Sequence, residues 1–124
     1  MIIINESEDR TFKTVSVVVH GLAAPSQGSE QLATWKVSVI DGGVSPVHVI
    51  DKDQVWMLLT GSFDFTVDGE TERVSAGQAL MVPAGSVRQF RSIGEPLEAL
   101  VAMQAGALVS IPGVEGANPV PWAV

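Results

Sequence analysis

Gly42-Gly43-Val44-Ser45-Pro46-Val47-His48-Val49-Ile50 opens on a glycine turn, crosses a proline and delivers a histidine into a short β-branched run. The same passage continues to Gln54 and Gly61, and one hairpin later come Gly77, Pro83-Ala84-Gly85, Arg88 and Ser92. Around it the chain consists of short alternating segments separated by glycine and proline, with no sustained helical period, which predicts an all-β barrel or sandwich. Upstream, Thr14 to His20 alternates and is rich in β-branched residues. Gln31 to Ile40 places Trp35, Val37 and Val39 on one face against Lys36 and Ser38 on the other. Downstream, the apolar run from Val55 to Thr60 reads as a strand covered on both faces, by sheet packing or a partner subunit, and ended by Gly61.

Phe63, Phe65 and Val67 alternate with Ser62, Asp64 and Thr66 up to Asp68-Gly69, the strongest two-residue hairpin signal in the chain. The return strand is expected at Thr71 to Val74, and Ala79 to Val82, Val87 to Ser92 and Leu97 to Gln104 complete the set. The tail from Pro112 to Val124 is expected to be extended, lying over the surface or a partner and anchored by Trp122.

A chain of 124 residues is one domain, residues 1–124, large enough to bury a core without disulfides, and it has no cysteine. Thiolate catalysis is therefore excluded. Seven basic residues against fourteen acidic ones give a net charge of -7 with no basic stripe, so neither nucleic acid nor an anionic membrane is an expected partner. The opening Met1-Ile2-Ile3-Ile4-Asn5 lacks the basic flank and apolar length of a signal peptide, and the expected location is the cytoplasm.

The spacing of the glycines, the proline and the histidine resembles the two motifs of the cupin family, over residues 42–61 and 77–92. The first motif runs Gly, five residues, His, one, His, three or four, Glu, six, Gly, and its slots hold Gly42, His48, Ile50, Gln54 and Gly61. The second runs Gly, five, Pro, one, Gly, two, His, three, Asn, and its slots hold Gly77, Pro83, Gly85, Arg88 and Ser92. The resemblance implies a single cupin β-barrel of the double-stranded β-helix or jelly-roll type, in a small single-domain protein. It also implies a homodimer.

The same slots argue against the family's metal chemistry. Ile50 has no lone pair, Arg88 is a permanent cation, and Gln54 offers a neutral carbonyl oxygen, so neither a metal nor another cofactor is expected. His20 is expected on the surface; folded over the barrel mouth it would supply a second imidazole. If His48 points inward, Ile50 does too, and by the same alternation Gln54, Trp56 and Leu58 form one inward row while Arg88 joins Phe90. The implied pocket is apolar and aromatic, with Trp35, Met81 and Met103 as further candidates for its wall. Met57, Met81 and Met103 read best as core filling.

Three functions compete. The first is a metal-independent cyclase, isomerase or dehydratase acting on a carbonyl-bearing or anionic organic compound. In it His48 is the base, Arg88 holds an anion or enolate oxygen, and Gln54 bonds a carbonyl or hydroxyl. The second is a non-catalytic binding or sensor protein that holds an apolar acid in the same pocket with the help of Arg88; the non-functional alternative for Arg88 is an internal ion pair with Asp51, Asp53 or Asp41. The third is a metal-dependent dioxygenase similar to the quercetin dioxygenases, which needs His20 or a displaced aspartate as a ligand. A histidine–tyrosine acid–base pair, as in cupin-type sugar epimerases, is excluded because the chain has no tyrosine. No Gly-x-Ser-x-Gly elbow supports a serine hydrolase.

Overall fold

Two long strands, each bent in the middle, carry the architecture: β5 (Gln54–Val67) and β8 (Val87–Gln104). A computed structural model describes all residues 1–124. The outer half of β5 pairs with β7 (Ala79–Val82) and with the C-terminal half of β8, while its inner half pairs with β6 (Glu70–Ser75) and with the N-terminal half of β8. On the far side, the C-terminal half of β8 pairs with β3 (Leu32–Val39), which leads to β2 (Val17–Gly21) and β1 (Thr11–Lys13). The N-terminal half of β8 pairs with β4 (His48–Ile50), followed by β9 (Leu108–Ser110) and β10 (Asn118–Pro119). Because both long strands cross from one layer to the other, one continuous antiparallel sheet curls into two facing layers. The expected all-β cupin barrel of jelly-roll type is the observed fold.

Gly61 sits inside β5 instead of ending it. The pairing register shifts on both sides of Thr60, and Gly61 has φ 74°, so the strand kinks here and continues. A Cβ at this position would lie 2.8 Å from the Pro96 carbonyl oxygen, because the bend of β8 is stacked on the bend of β5. Only glycine meets both the torsion and the close approach. The expected strands at Val87 to Ser92 and Leu97 to Gln104 are likewise one strand, bent through Gly94-Glu95-Pro96.

The hairpin at Asp68-Gly69 forms as expected, with positive φ at both residues (47° and 85°). Between the layers lies an aromatic cluster of Trp56, Phe63, Phe65 and Phe90, with ring centroids 5.1–6.0 Å apart and most pairs edge to face. Each such pair adds about 0.5–1.5 kcal/mol to the area buried. The run from Val55 to Leu59 alternates in burial: Trp56 and Leu58 face the core while Met57 and Leu59 face outward and are exposed. The doubly covered strand expected there is covered on one face within the single chain.

The tail is extended only in part. It runs exposed through residues 112–117, adds β10 to the sheet edge and closes in a 3-10 turn over Pro121–Ala123. That turn seats Trp122 against Phe12 and Trp35, with centroids 5.9 and 6.2 Å apart. Ser26 Oγ donates to the Val124 carbonyl oxygen at 2.6 Å and ties down the end.

Candidate functional site

A cavity of about 310 Å³ lies at the open end of the barrel, between the β2–β3 side and the β4–β9 side. Its floor is the aromatic cluster, represented by Trp56 and Phe90, and Trp35, Val37, Ile50 and Val109 form its walls. Phe12 from β1 and Trp122 from the tail close over it. These last elements were not legible as lining residues from sequence. Three-residue strands have no measurable period, and the one signal for Trp122 was an aromatic residue in a proline-flanked tail.

His48 and Ile50 both face the cavity, as two residues apart on one strand must. His48 sits directly across the β4–β8 ladder from Arg88. Its Nδ1 lies 2.8 Å from the Pro46 carbonyl oxygen. A carbonyl only accepts, so Nδ1 carries a proton, and in the neutral ring Nε2 keeps its lone pair, with no partner in the chain. Burial pushes the imidazole pKa down, the Pro46 hydrogen bond opposes this, and the Arg88 charge adds to the lowering. The ring is therefore neutral at pH 7, a proton acceptor in an apolar wall.

Gln54 is almost wholly buried and faces the same cavity. Its Oε1 accepts from Trp56 Nε1 at 3.3 Å and from Arg88 Nη1 at 3.1 Å, and its Nε2 approaches Met103 Sδ at 3.7 Å. Arg88 is the largest fully buried side chain in the molecule, and its guanidinium is engaged by the protein itself. Nε donates to the Ser86 carbonyl oxygen, and Nη2 donates to the carbonyl oxygens of Ile50, Pro83 and Ser86 and to Ser86 Oγ, at 3.0–3.3 Å. Arg88 thus clips the Pro83–Ser86 turn to the end of β4. It does not line the cavity. No carboxylate lies within ion-pair distance of it, although Asp68 and Asp53 partly offset the lowering of its pKa by burial. Asp53 and Asp51 instead accept the backbone N–H groups of Ala84 and Leu108.

Two further expected wall residues lie elsewhere. Met81 is 57% exposed on the outer face of the sheet, because its neighbour Val82 takes the inward direction and is fully buried. Leu58 is buried in the core beyond the cavity. Trp35, Ile50, Trp56 and Phe90 do line it, whereas Met103 is buried and reaches the site only through its contact with Gln54. His20 faces outward, 3.1 Å from Thr11 Oγ1 and 3.8 Å from a Glu6 carboxylate oxygen, where Glu6 also pairs with Lys36. It does not reach the barrel mouth.

The donor set does not fit a metal ion. No group of three or more His, Cys, Asp or Glu side chains is arranged to hold one. At the motif positions there is one free imidazole nitrogen, a hydrocarbon, an amide oxygen with both lone pairs in use, and a cation.

A two-layer barrel entered by bent strands, with one histidine and one amide converging in an apolar cavity, defines the class: a small jelly-roll barrel with an interior pocket. The chain belongs to the cupin family: residues 35–112 match the family described as Cupin domain. The search of curated proteins gave no match. Among solved structures, the fold is similar to the polyketide cyclase RemF from Streptomyces resistomycificus (TM-score 0.72, 19% identity, 92% of this chain and 82% of that one). It is also similar to an RmlC-like cupin from Shewanella frigidimarina (TM-score 0.65, 18% identity, 84% of each chain). A third similar structure is KdgF from Halomonas sp. (TM-score 0.66, 16% identity, 80% of this chain and 90% of that one). At these identities the likeness shows the fold alone.

Proposed function

We propose that this cupin binds a compact, largely apolar organic molecule in the barrel and acts on it by metal-independent acid–base chemistry. His48 removes a proton next to a carbonyl or from a hydroxyl. The observation that carries this reading is the Nδ1 contact with Pro46, which in the neutral ring places the proton on Nδ1 and leaves Nε2 unpartnered at the aromatic cavity. A neutral imidazole next to bound substrate is the state a general base requires. The fold is similar to that of a polyketide cyclase, and a cavity of about 310 Å³ suits roughly one or two rings.

The test is proton exchange. Carbonyl compounds that raise the melting temperature are incubated in D₂O with wild type and His48→Ala, and deuterium at the carbon next to the carbonyl is followed by NMR. The expected result is exchange catalysed by wild type and lost in a folded His48→Ala. Equal exchange in both overturns the catalytic reading.

A second reading, binding without turnover, is favoured by one specific observation: the cavity wall contains no carboxyl, phenol or thiol to act as the partner acid. It predicts that the bound ligand is recovered unchanged.

We propose further that two copies associate through the exposed apolar face of β5 and β7. Val55 and Met57 there lie opposite Met81 and Ala79, and Leu59 extends the patch. An apolar face of this kind is a common mark of an interface. Sedimentation of wild type as a dimer and of a Met57→Asp, Met81→Lys double variant as a monomer is the expected outcome; a monomeric wild type refutes it.

A further inference from the structure

We infer that Gln54 determines ligand specificity, as a fixed hydrogen-bond donor that selects an uncharged carbonyl oxygen. This inference rests on the small-molecule reading of the cavity. Its starting point is the chemistry of the two groups around the amide oxygen. An indole N–H and a guanidinium N–H can only donate, so the atom between Trp56 Nε1 and Arg88 Nη1 has to be the oxygen. The carboxamide cannot be flipped without setting an N–H against each of two donors. Both lone pairs of Oε1 are used, and what remains for a ligand is Nε2, whose one contact in the chain is a weak one to Met103 sulfur.

The hydroxyl groups of the wall do not compete. Ser45 Oγ donates to the Pro46 carbonyl oxygen and accepts from the Phe90 N–H. Thr14 Oγ1 accepts from the backbone of Ser16 and Val17 and donates to the Val17 carbonyl oxygen. Lys13 is exposed at the rim. Inside the cavity the free acceptor is His48 Nε2, and the donors without a strong partner are Gln54 Nε2 and the indole N–H groups of Trp35 and Trp122, the last shut off from solvent.

Charge selection follows from Arg88. Its guanidinium is spread over six contacts to protein acceptors and does not line the cavity, so the one cation that a carboxylate meets is the exposed Lys13 at the rim. An anion entering this wall loses its water shell for neutral N–H donors alone, whereas a ketone or aldehyde has far less hydration to lose. The ligand class is an uncharged hydroxy-carbonyl compound, its carbonyl toward Gln54 and its hydroxyl or acidic C–H toward His48. Arg88 and Trp56 act as positioning residues through the amide oxygen.

The experiment uses matched probes of equal shape, 4-hydroxyacetophenone and 4-hydroxybenzoate with their 3-isomers, titrated against the intact protein by calorimetry. Quenching of Trp35, Trp56 and Trp122, the protein's three tryptophans, reports binding in the cavity they all line. Wild type is expected to prefer the ketone by about ten-fold or more. Gln54→Glu keeps an acceptor for Trp56 and Arg88 but has no donor when ionised, so its melting temperature should match or exceed wild type while ketone affinity falls about ten-fold. Gln54→Met, close in shape and without a donor, should show the same fall and keeps the test readable if the glutamate variant does not fold. Equal or tighter binding of the benzoate, or unchanged ketone affinity in the variants, overturns the inference and leaves the binding reading standing. Failure of every probe to bind overturns both.

Discussion

Replacing Arg88 by methionine tests whether the buried guanidinium is a fastening whose partners have other partners, or the one element holding the turn. Methionine fills most of the volume, which keeps the cavity penalty small. Arg88 makes six hydrogen bonds within the chain, and at about 1.5–3 kcal/mol for each bond to a charged group their sum is on the order of 10 kcal/mol. The acceptors tell otherwise. The Ile50 carbonyl oxygen keeps the Gly85 N–H at 2.8 Å, and the Pro83 carbonyl oxygen keeps the Ser86 N–H at 3.3 Å and Ser86 Oγ at 2.7 Å. Gln54 Oε1 keeps Trp56. Ser86 Oγ loses a donor but keeps its own bond to Pro83, so only the Ser86 carbonyl oxygen, in a buried residue, is left with no hydrogen bond.

One orphaned buried acceptor costs about 1–3 kcal/mol. Relief of the desolvation borne by an ion with no carboxylate partner offsets part of it. The expected loss is about 1–2 kcal/mol. For a domain of this size that is a fall in melting temperature of roughly 4–8 °C. Urea and thermal unfolding of wild type and Arg88→Met measure it. A loss above about 5 kcal/mol refutes the acceptor-by-acceptor reasoning, since that magnitude requires the bonds to act independently.

Three further outcomes are expected. The folded-state pKa of His48 is depressed below 6.5, so its contribution to stability is present above that value and is lost as pH falls through the folded pKa. Thermal midpoints at pH 7.5 and 5.0 should therefore drop more in wild type than in His48→Gln, and equal drops count against a buried neutral imidazole. Trp122 Nε1 is shut off from solvent with no acceptor, so Trp122→Phe removes an unsatisfied donor along with some packing. Urea unfolding should show a change within about 1 kcal/mol, in contrast to the 3–5 kcal/mol typical of deleting a buried aromatic side chain. Elemental analysis of protein purified without a histidine tag or chelator should find no stoichiometric iron, zinc, nickel or manganese; finding one contradicts the donor-set argument.

Much of the barrel is written locally. The alternation of Trp35, Val37 and Val39, the Asp68-Gly69 hairpin and the inward row of Gln54 and Trp56 follow from a period of two and from turn torsions, which neighbouring residues set between themselves. That His48 and Ile50 share a face follows in the same way. Met81 shows where this reasoning stops. A four-residue strand alternates whichever way it is turned, and only its pairing with β5 decides that Val82 goes inward and Met81 outward.

The sequence by itself determined the fold family, the residue types in the motif slots and which of them share a strand face, because these depend on residue type and spacing along a strand. The tertiary structure alone decided what Arg88 is for. Its partners come from Ile50, Gln54, Pro83 and Ser86, brought together by the curl of the sheet, and a guanidinium beside a cavity serves the ligand or the protein according to which acceptors reach it first. The roof over the pocket is settled in the same way, since Phe12 and Trp122 lie at opposite ends of the chain and meet only when the barrel closes.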